Sequence, residues 1–298
     1  GLEPAELLPV HLSPPQTRRR AGLHGLRTAK GAVLGYREGG SHRVVDLAEC
    51  PVLHPALAAL IVPLRKFVAA HGPKGMVGID LTLADQGVEA SLSQFPLDGL
   101  GPTEAALDFA REQGLARLSF DQGYGPETVW EPEPVTVTLA GVPVGLPPGA
   151  FLQATRDAEQ RMAADAAEWL GEARIVADLF AGLGTFAFAL REGRKVFAVE
   201  AERAAHLACK SAGAQAGGQV LALHRYRPQA YAGEVLLLRT SGLARWQRWL
   251  FGPWRRWLRL REHEVQGLHG SVFEPGRVSG LAQCICQALG LAPSDTSP

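Results

Sequence analysis

An α/β fold is predicted: an incomplete Rossmann-like domain preceded by a small α+β domain. Three observations carry that expectation. Asp178-Leu179-Phe180-Ala181-Gly182-Leu183-Gly184-Thr185-Phe186 follows the apolar run Ile175 to Ala177 and precedes a small-residue helix pattern, which reads as strand, glycine turn and helix. The segments around it alternate helix, strand, helix, strand, helix, the order of a doubly wound parallel sheet. Upstream, short strand patterns mix with two helical ones instead of alternating with them.

The bulk properties suit such a chain. At 298 residues it can hold two ordinary domains, with 46% hydrophobic and 20% charged residues. Its formal net charge is zero, so nucleic-acid binding would need local basic clusters. Four cysteines, Cys50, Cys209, Cys284 and Cys286, are too few and too irregular for a secreted disulfide framework. No signal peptide opens the chain, and no apolar run reaches the ~18 residues of a membrane span. A cytoplasmic monomer without membrane partners is expected. The first residue is Gly, consistent with a processed or truncated piece.

Residues 1–17 are proline-rich and read as a linker or frayed start. Residues 18–145 form the α+β region. It opens on Arg18-Arg19-Arg20, followed by strand candidates at Ala32 to Tyr36 and Arg43 to Leu47. A helix pattern from Pro55 to about Ala70 places Leu57, Leu60, Ile61, Leu64 and Val68 on one face, with Pro63 as a candidate kink. Strands with turns are expected over 76–95 and 115–145, and between them Thr103 is a candidate helix cap. The hinge-like passage 141–153 leads into the second domain, 146–218. Thr155 then caps a helix with Asp157 and Glu159 in its first turn and Met162, Ala166, Trp169 and Leu170 on its apolar face. Strand 173–180, helix 184–192, strand 195–200 and helix 202–216 follow, with a possible third strand near Val235 to Leu238.

The glycine turn suits an adenosine-containing cofactor. Gly182-x-Gly184-x-x-Ala187 fits the dinucleotide fingerprint, and Glu200, 18 residues past Gly182, sits where a ribose-binding acid is wanted. NAD enzymes and S-adenosylmethionine (SAM) enzymes share this layout. Asp178 discriminates between them. A diphosphate there would face an uncompensated carboxylate, whereas SAM carries a sulfonium and an ammonium. The structural alternative is that Asp178 only caps a helix and the glycines only make a tight turn.

Four segments resemble the RNA (uracil-5-)-methyltransferases, and within them the 23S rRNA 5-methyluridine enzymes. They are Ser13-Pro14-Pro15-Gln16-Thr17-Arg18-Arg19-Arg20, Glu49-Cys50-Pro51-Val52-Leu53-His54-Pro55, Leu146-Pro147-Pro148-Gly149-Ala150-Phe151-Leu152-Gln153-Ala154-Thr155, and the turn 178–186. The resemblance covers about residues 5–218. It implies a central RNA-facing α+β domain, a Rossmann-like SAM-dependent methyltransferase domain, and RNA, ribosomal by this resemblance, as partner. It also implies roles: Gln153 contacts SAM, Phe180 and Thr185 line the pocket around Gly182 and Gly184, and Glu200 takes the ribose hydroxyls.

The resemblance also defines what is missing. In that family a cysteine thiolate in a Ser-Cys-Asn-Pro context adds to carbon 6 of uracil, carbon 5 takes the SAM methyl, and a carboxylate removes its proton. An Asp-Pro-Pro motif closes the pocket. This sequence has neither motif, and no aspartate lies between Asp178 and Asp295. Cys284 and Cys286 stand in a different context. Glu264 resembles the family's base region only faintly. No catalytic residue is therefore assigned, and an inactive form is expected. Relatives also bind an iron-sulfur cluster through four cysteines, of which only Cys50 has a counterpart, so no metal is expected.

Residues 219–298 change character, with ten arginines, no lysine, and four of the six tryptophans between Trp246 and Trp257. That composition suits a shifted reading frame of a GC-rich gene. An RNA-contacting extension with stacking tryptophans, or an interfacial helix broken at Pro253, are the alternatives.

Overall fold

The computed structural model describes residues 10–39, 41 and 43–224, together with the backbone of strands at 231–240 and 258–265. It divides into two units, His11–Tyr226 and a second formed by the two chain ends.

The first unit opens on a seven-stranded sheet. Its strands are β1 (Arg20–Thr28), β2 (Gly31–Arg37), β3 (Val44–Asp46), β4 (Met76–Leu83), β5 (Val88–Ser93), β6 (Arg117–Asp121) and β7 (Pro126–Trp130). They lie in the order β3-β2-β1-β4-β5-β6-β7, antiparallel throughout except for β5 and β6. The parallel pair is joined by a crossover through α3 (Leu100–Glu112), and a second crossover carries the chain from β3 at the sheet edge back to β4 beside β1. Between β3 and β4 lie α1 (Pro55–Ala58) and α2 (Ile61–His71). Leu57, Leu60, Ile61, Leu64 and Val68 are all buried, as their spacing predicts. Phe67 stacks on Phe95 at 5.5 Å and meets Phe109 at 4.7 Å, tying both long helices to the sheet.

Two local expectations are corrected. The helix over Pro55 to Ala70 breaks at Ala59 and Leu60, and Pro63 falls in the first turn of α2, where its missing N–H has no helical partner to lose. Thr103 does not cap α3. Gly99 does, with φ +91°, and the Thr103 hydroxyl instead donates to the Gly99 carbonyl at 2.9 Å from one turn inside.

The second core begins before residue 146. The hairpin β8 (Thr136–Leu139) and β9 (Val142–Gly145) buries Val137, Leu139, Val142 and Val144 against the doubly wound layer. That layer comprises α4 (Arg156–Leu170), β10 (Ile175–Leu179), α5 (Thr185–Ala189), β11 (Lys195–Val199), α6 (Arg203–Gln215) and β12 (Val220–Leu223). The sheet is parallel, in the order β10-β11-β12. Its third strand is thus β12, past residue 218, and not the segment near Val235 to Leu238. That segment lies in β13 (Tyr231–Thr240), which pairs in parallel with β14 (Leu258–Val265) in the second unit. Trp246, Trp249, Pro253, Trp254, Trp257, Cys284 and Cys286 lie outside the described residues.

Of residues 1–17, expected to be loose, the part from His11 onward is fastened down. Gln16 and Arg18 donate through their amides to the carbonyls of Pro51 and Val52, and His11 bonds to Asp157 at 2.8 Å. Among the described residues no helix is long and apolar enough to cross a membrane.

Candidate cofactor site

The turn between β10 and α5 is built from three residues with positive φ: Phe180 at +63°, Gly182 at +56° and Gly184 at +95°. The glycines differ in purpose. A Cβ on Gly182 would meet nothing within 4 Å, so that backbone borders open space. A Cβ on Gly184 would stand 2.6 Å from Phe188 and 2.9 Å from the Cys209 sulfur, so this glycine lets the turn close on its own core. Phe180 is the only non-glycine residue of the three. An aromatic residue in left-handed backbone is strained, and its ring is 90% exposed.

Two carboxylates bracket this turn. Asp178, at the end of β10, accepts from the Ala187 amide at 3.0 Å. Glu200, one residue past β11, accepts from the Gly182 amide at 2.7 Å and from the Glu202 amide at 2.7 Å. The parallel register that sets Asp178 beside Ala198 brings them together. Burial pushes the Asp178 carboxyl up to about 6, the Ala187 amide counters this, and the Glu200 charge adds to the rise. Beneath them Cys209 is buried, and its thiol is pushed up to about 11 by burial and by both carboxylates. A buried thiol with its pKa raised is a poor nucleophile.

Thr185 is the first residue of α5 and is half-buried. Gln153 lies on the passage into α4, with Leu152 buried beside it and its own carbonyl taken by Arg19 at 3.0 Å. Thr155 caps α4 as its sequence predicts, accepting from the Ala158 amide. Sequence reasoning missed two neighbours of Glu200. Glu202 caps α6 by accepting from the amides of Ala204 and Ala205. The His206 ring, buried, lies 5.1 Å from that of His224, and burial first, then the charges of His224 and Lys210, pushes its pKa down. The one available signal was the Glu200-x-Glu202-x-x-x-His206 spacing, which is too common to single out.

The iron-sulfur cluster implied by the resemblance has Cys50 as its one counterpart ligand. Cys50 is half-buried beside Tyr36, and among the described residues no three His, Cys, Asp or Glu side chains are grouped to hold a metal.

No protein-family model matches the chain. It is 49% identical over 218 residues to an uncharacterized RNA methyltransferase of Zymomonas mobilis, covering 72% of this chain and 55% of that relative. It is 38% identical over 201 residues to one from Brucella melitensis, covering 67% and 48%. To the 23S rRNA (uracil(1939)-C(5))-methyltransferase of Halomonas elongata it is 34% identical over 203 residues, covering 63% and 42%. Its fold matches that of the Pyrococcus abyssi tRNA (uracil-54, C5)-methyltransferase, solved with S-adenosyl-L-homocysteine. The TM-score is 0.56 at 19% identity, over 76% of this chain and 59% of that one. The mixed α/β architecture is thus one shared with SAM-dependent RNA methyltransferases. The chain belongs to the RNA methyltransferase family related to the 23S rRNA uracil-C5 enzymes, as its motifs imply, and spans about half the length of the curated relatives it matches.

Proposed function

We propose that this chain binds SAM at the turn 178–186 and forms the cofactor-holding part of an RNA uracil-C5 methyltransferase. The observation that supports this most is the pair of carboxylates bracketing one open turn. SAM, when bound, supplies an electrophilic methyl group. Each Glu200 oxygen already accepts one amide and retains lone-pair capacity for a ribose hydroxyl. Asp178 offers a negative group toward a cationic ligand, which would favour its ionised form. Gly182 lets the ligand approach the backbone, Phe180 gives an apolar wall, and Thr185 and Gln153 supply polar contacts. A diphosphate would meet two carboxylates, which argues against the NAD reading.

We infer binding without turnover for the sequence as given. Neither Asp-Pro-Pro nor Ser-Cys-Asn-Pro occurs in it. The other reading, an RNA-binding remnant gripping phosphates with Arg18-Arg19-Arg20 and the arginines of 245–261, loses the middle arginine of its triplet, which is 1% exposed, and the arginines from Arg245 to Arg256 lie outside the described residues.

Calorimetric titration of the full chain with SAM tests the site. Saturable heat is expected, with affinity lowered at least ~10-fold in Glu200→Ala, the scale of losing hydrogen bonds to a charged group. No heat up to millimolar SAM, or a Glu200→Ala variant that binds like the parent, would reject it. Radiolabelled methyl transfer to a uridine-containing ribosomal RNA fragment is expected to be undetectable, and clear incorporation would refute the inference of inactivity.

A further inference from the structure

Residues 13–20 hold residues 151–155 almost one by one. The Arg20 guanidinium lies 4.8 Å over the Phe151 ring and donates to the Leu152 carbonyl at 2.9 Å. Arg19 donates through Nε to the Gln153 carbonyl at 3.0 Å and through its own amide to the Ala154 carbonyl at 2.8 Å. The Ser13 and Thr155 hydroxyls bond at 2.8 Å. Beyond the cap, Arg19 Nη2 pairs with Glu159 at 2.5 Å in the first turns of α4. The Arg19 and Glu159 side chains are 2% and 10% exposed, and Arg19 Nη1 has no partner among the described residues.

A buried pair of this kind adds little stability over an apolar replacement. What it adds is fixed geometry. One planar fork reaches both Gln153 and Glu159, so the passage cannot shift against α4. Leu152, within the passage, is buried in the second core.

We propose that Arg19 is a positioning residue for the cofactor-binding passage, setting where Gln153 stands relative to α4 and the turn. This rests on the reading of Gln153 as a SAM contact. It gives the basic triplet an internal task and removes Arg19 from any RNA-facing patch. Arg19 touches no ligand itself and acts through the Gln153 carbonyl.

The test uses the full chain and the paired replacement Arg19→Met with Glu159→Met, which leaves no charge unpaired, beside Glu159→Gln, which keeps an acceptor. Melting temperature establishes that each variant folds. The double variant is expected to lose SAM affinity ~10-fold or more through misplacement of the passage, while Glu159→Gln binds like the parent. Chymotrypsin cleavage after exposed Phe151, identified by mass spectrometry without ligand, is expected to quicken ~10-fold in the double variant as the passage opens more often. A folded double variant with parental SAM affinity would overturn the proposal whatever its cleavage rate. Should the parent bind no SAM, cleavage decides: acceleration upholds the clamp while the cofactor reading falls, and an unchanged rate ends both.

Discussion

Asp178 holds its carboxyl in surroundings that resist its charge. Its folded pKa, about 6, stands above the ordinary carboxylate value of 3.8, so the folded chain binds the extra proton between those limits. Stability linked to this group is complete below about pH 4 and is lost as pH rises through 6. Asp178→Asn keeps an acceptor for the Ala187 amide and removes the charge. It should stabilise the ligand-free chain at pH 7.5 by about 1–2 kcal/mol, allowing for solvent screening of a half-buried group, and change nothing at pH 4. Urea midpoints at the two pH values check this. The same ionisation should make SAM bind more tightly as pH rises from 5 to 7, a trend Asp178→Asn abolishes. The two glycines provide an internal control. Gly184→Ala forces a Cβ into Phe188 and Cys209 and should cost about 2–4 kcal/mol, whereas Gly182→Ala faces open space and should cost about 1 kcal/mol from its backbone angle alone. Equal denaturation midpoints for the two variants would contradict this account.

At the scale of elements, α4 shows how far local sequence reaches. Its cap was legible because Thr155 precedes a run of helix formers, and Thr155→Val should lower stability by about 1–2 kcal/mol by leaving the Ala158 amide and Ser13 hydroxyl without that oxygen. Its outer face was not legible. Trp169 and Met162 sit at core spacing, yet Trp169 is 73% exposed because the periodicity reports which residues share a side and not what covers it. Pro63 and Thr103 were misread for a related reason: both lie one turn inside helix starts that no side-chain cap marks, at Leu60 and Gly99. Strand β12 escaped notice because it is four residues long and lies beyond a Gly217-Gly218 break. The carboxylate pair was readable because strand ends and glycine turns carry strong local chemistry. The arginine clamp was not, because its partners lie more than 130 residues away.

Among the described residues of the unit His11–Tyr226, one face of the parallel sheet is covered and the other is largely exposed. Val176, Val196, Ala198 and Val220 are buried, whereas Ile175 and Leu179 are 70% and 54% exposed, with Leu221 and Leu223 exposed beside them. Parallel sheets normally carry cover on both faces, and an apolar face of this kind drives association. The chain is therefore expected to bind a hydrophobic fluorescent dye and to self-associate with rising concentration. Replacing both Leu179 and Leu223 with Lys should suppress both while moving the melting temperature little. Sedimentation velocity over a concentration series reads the outcome, and a parent that stays monomeric and dark would disprove it.

Glu159 follows Arg19 by 140 residues in the chain. During synthesis, the seven-stranded sheet is finished at Trp130 while that arginine still waits for its acid. Until α4 leaves the ribosome, the first strand begins at a cationic socket that water must fill. The two halves of the unit are therefore expected to mature together, and a fragment ending at residue 145 to be less stable than its finished sheet suggests, with more added salt needed to keep it folded.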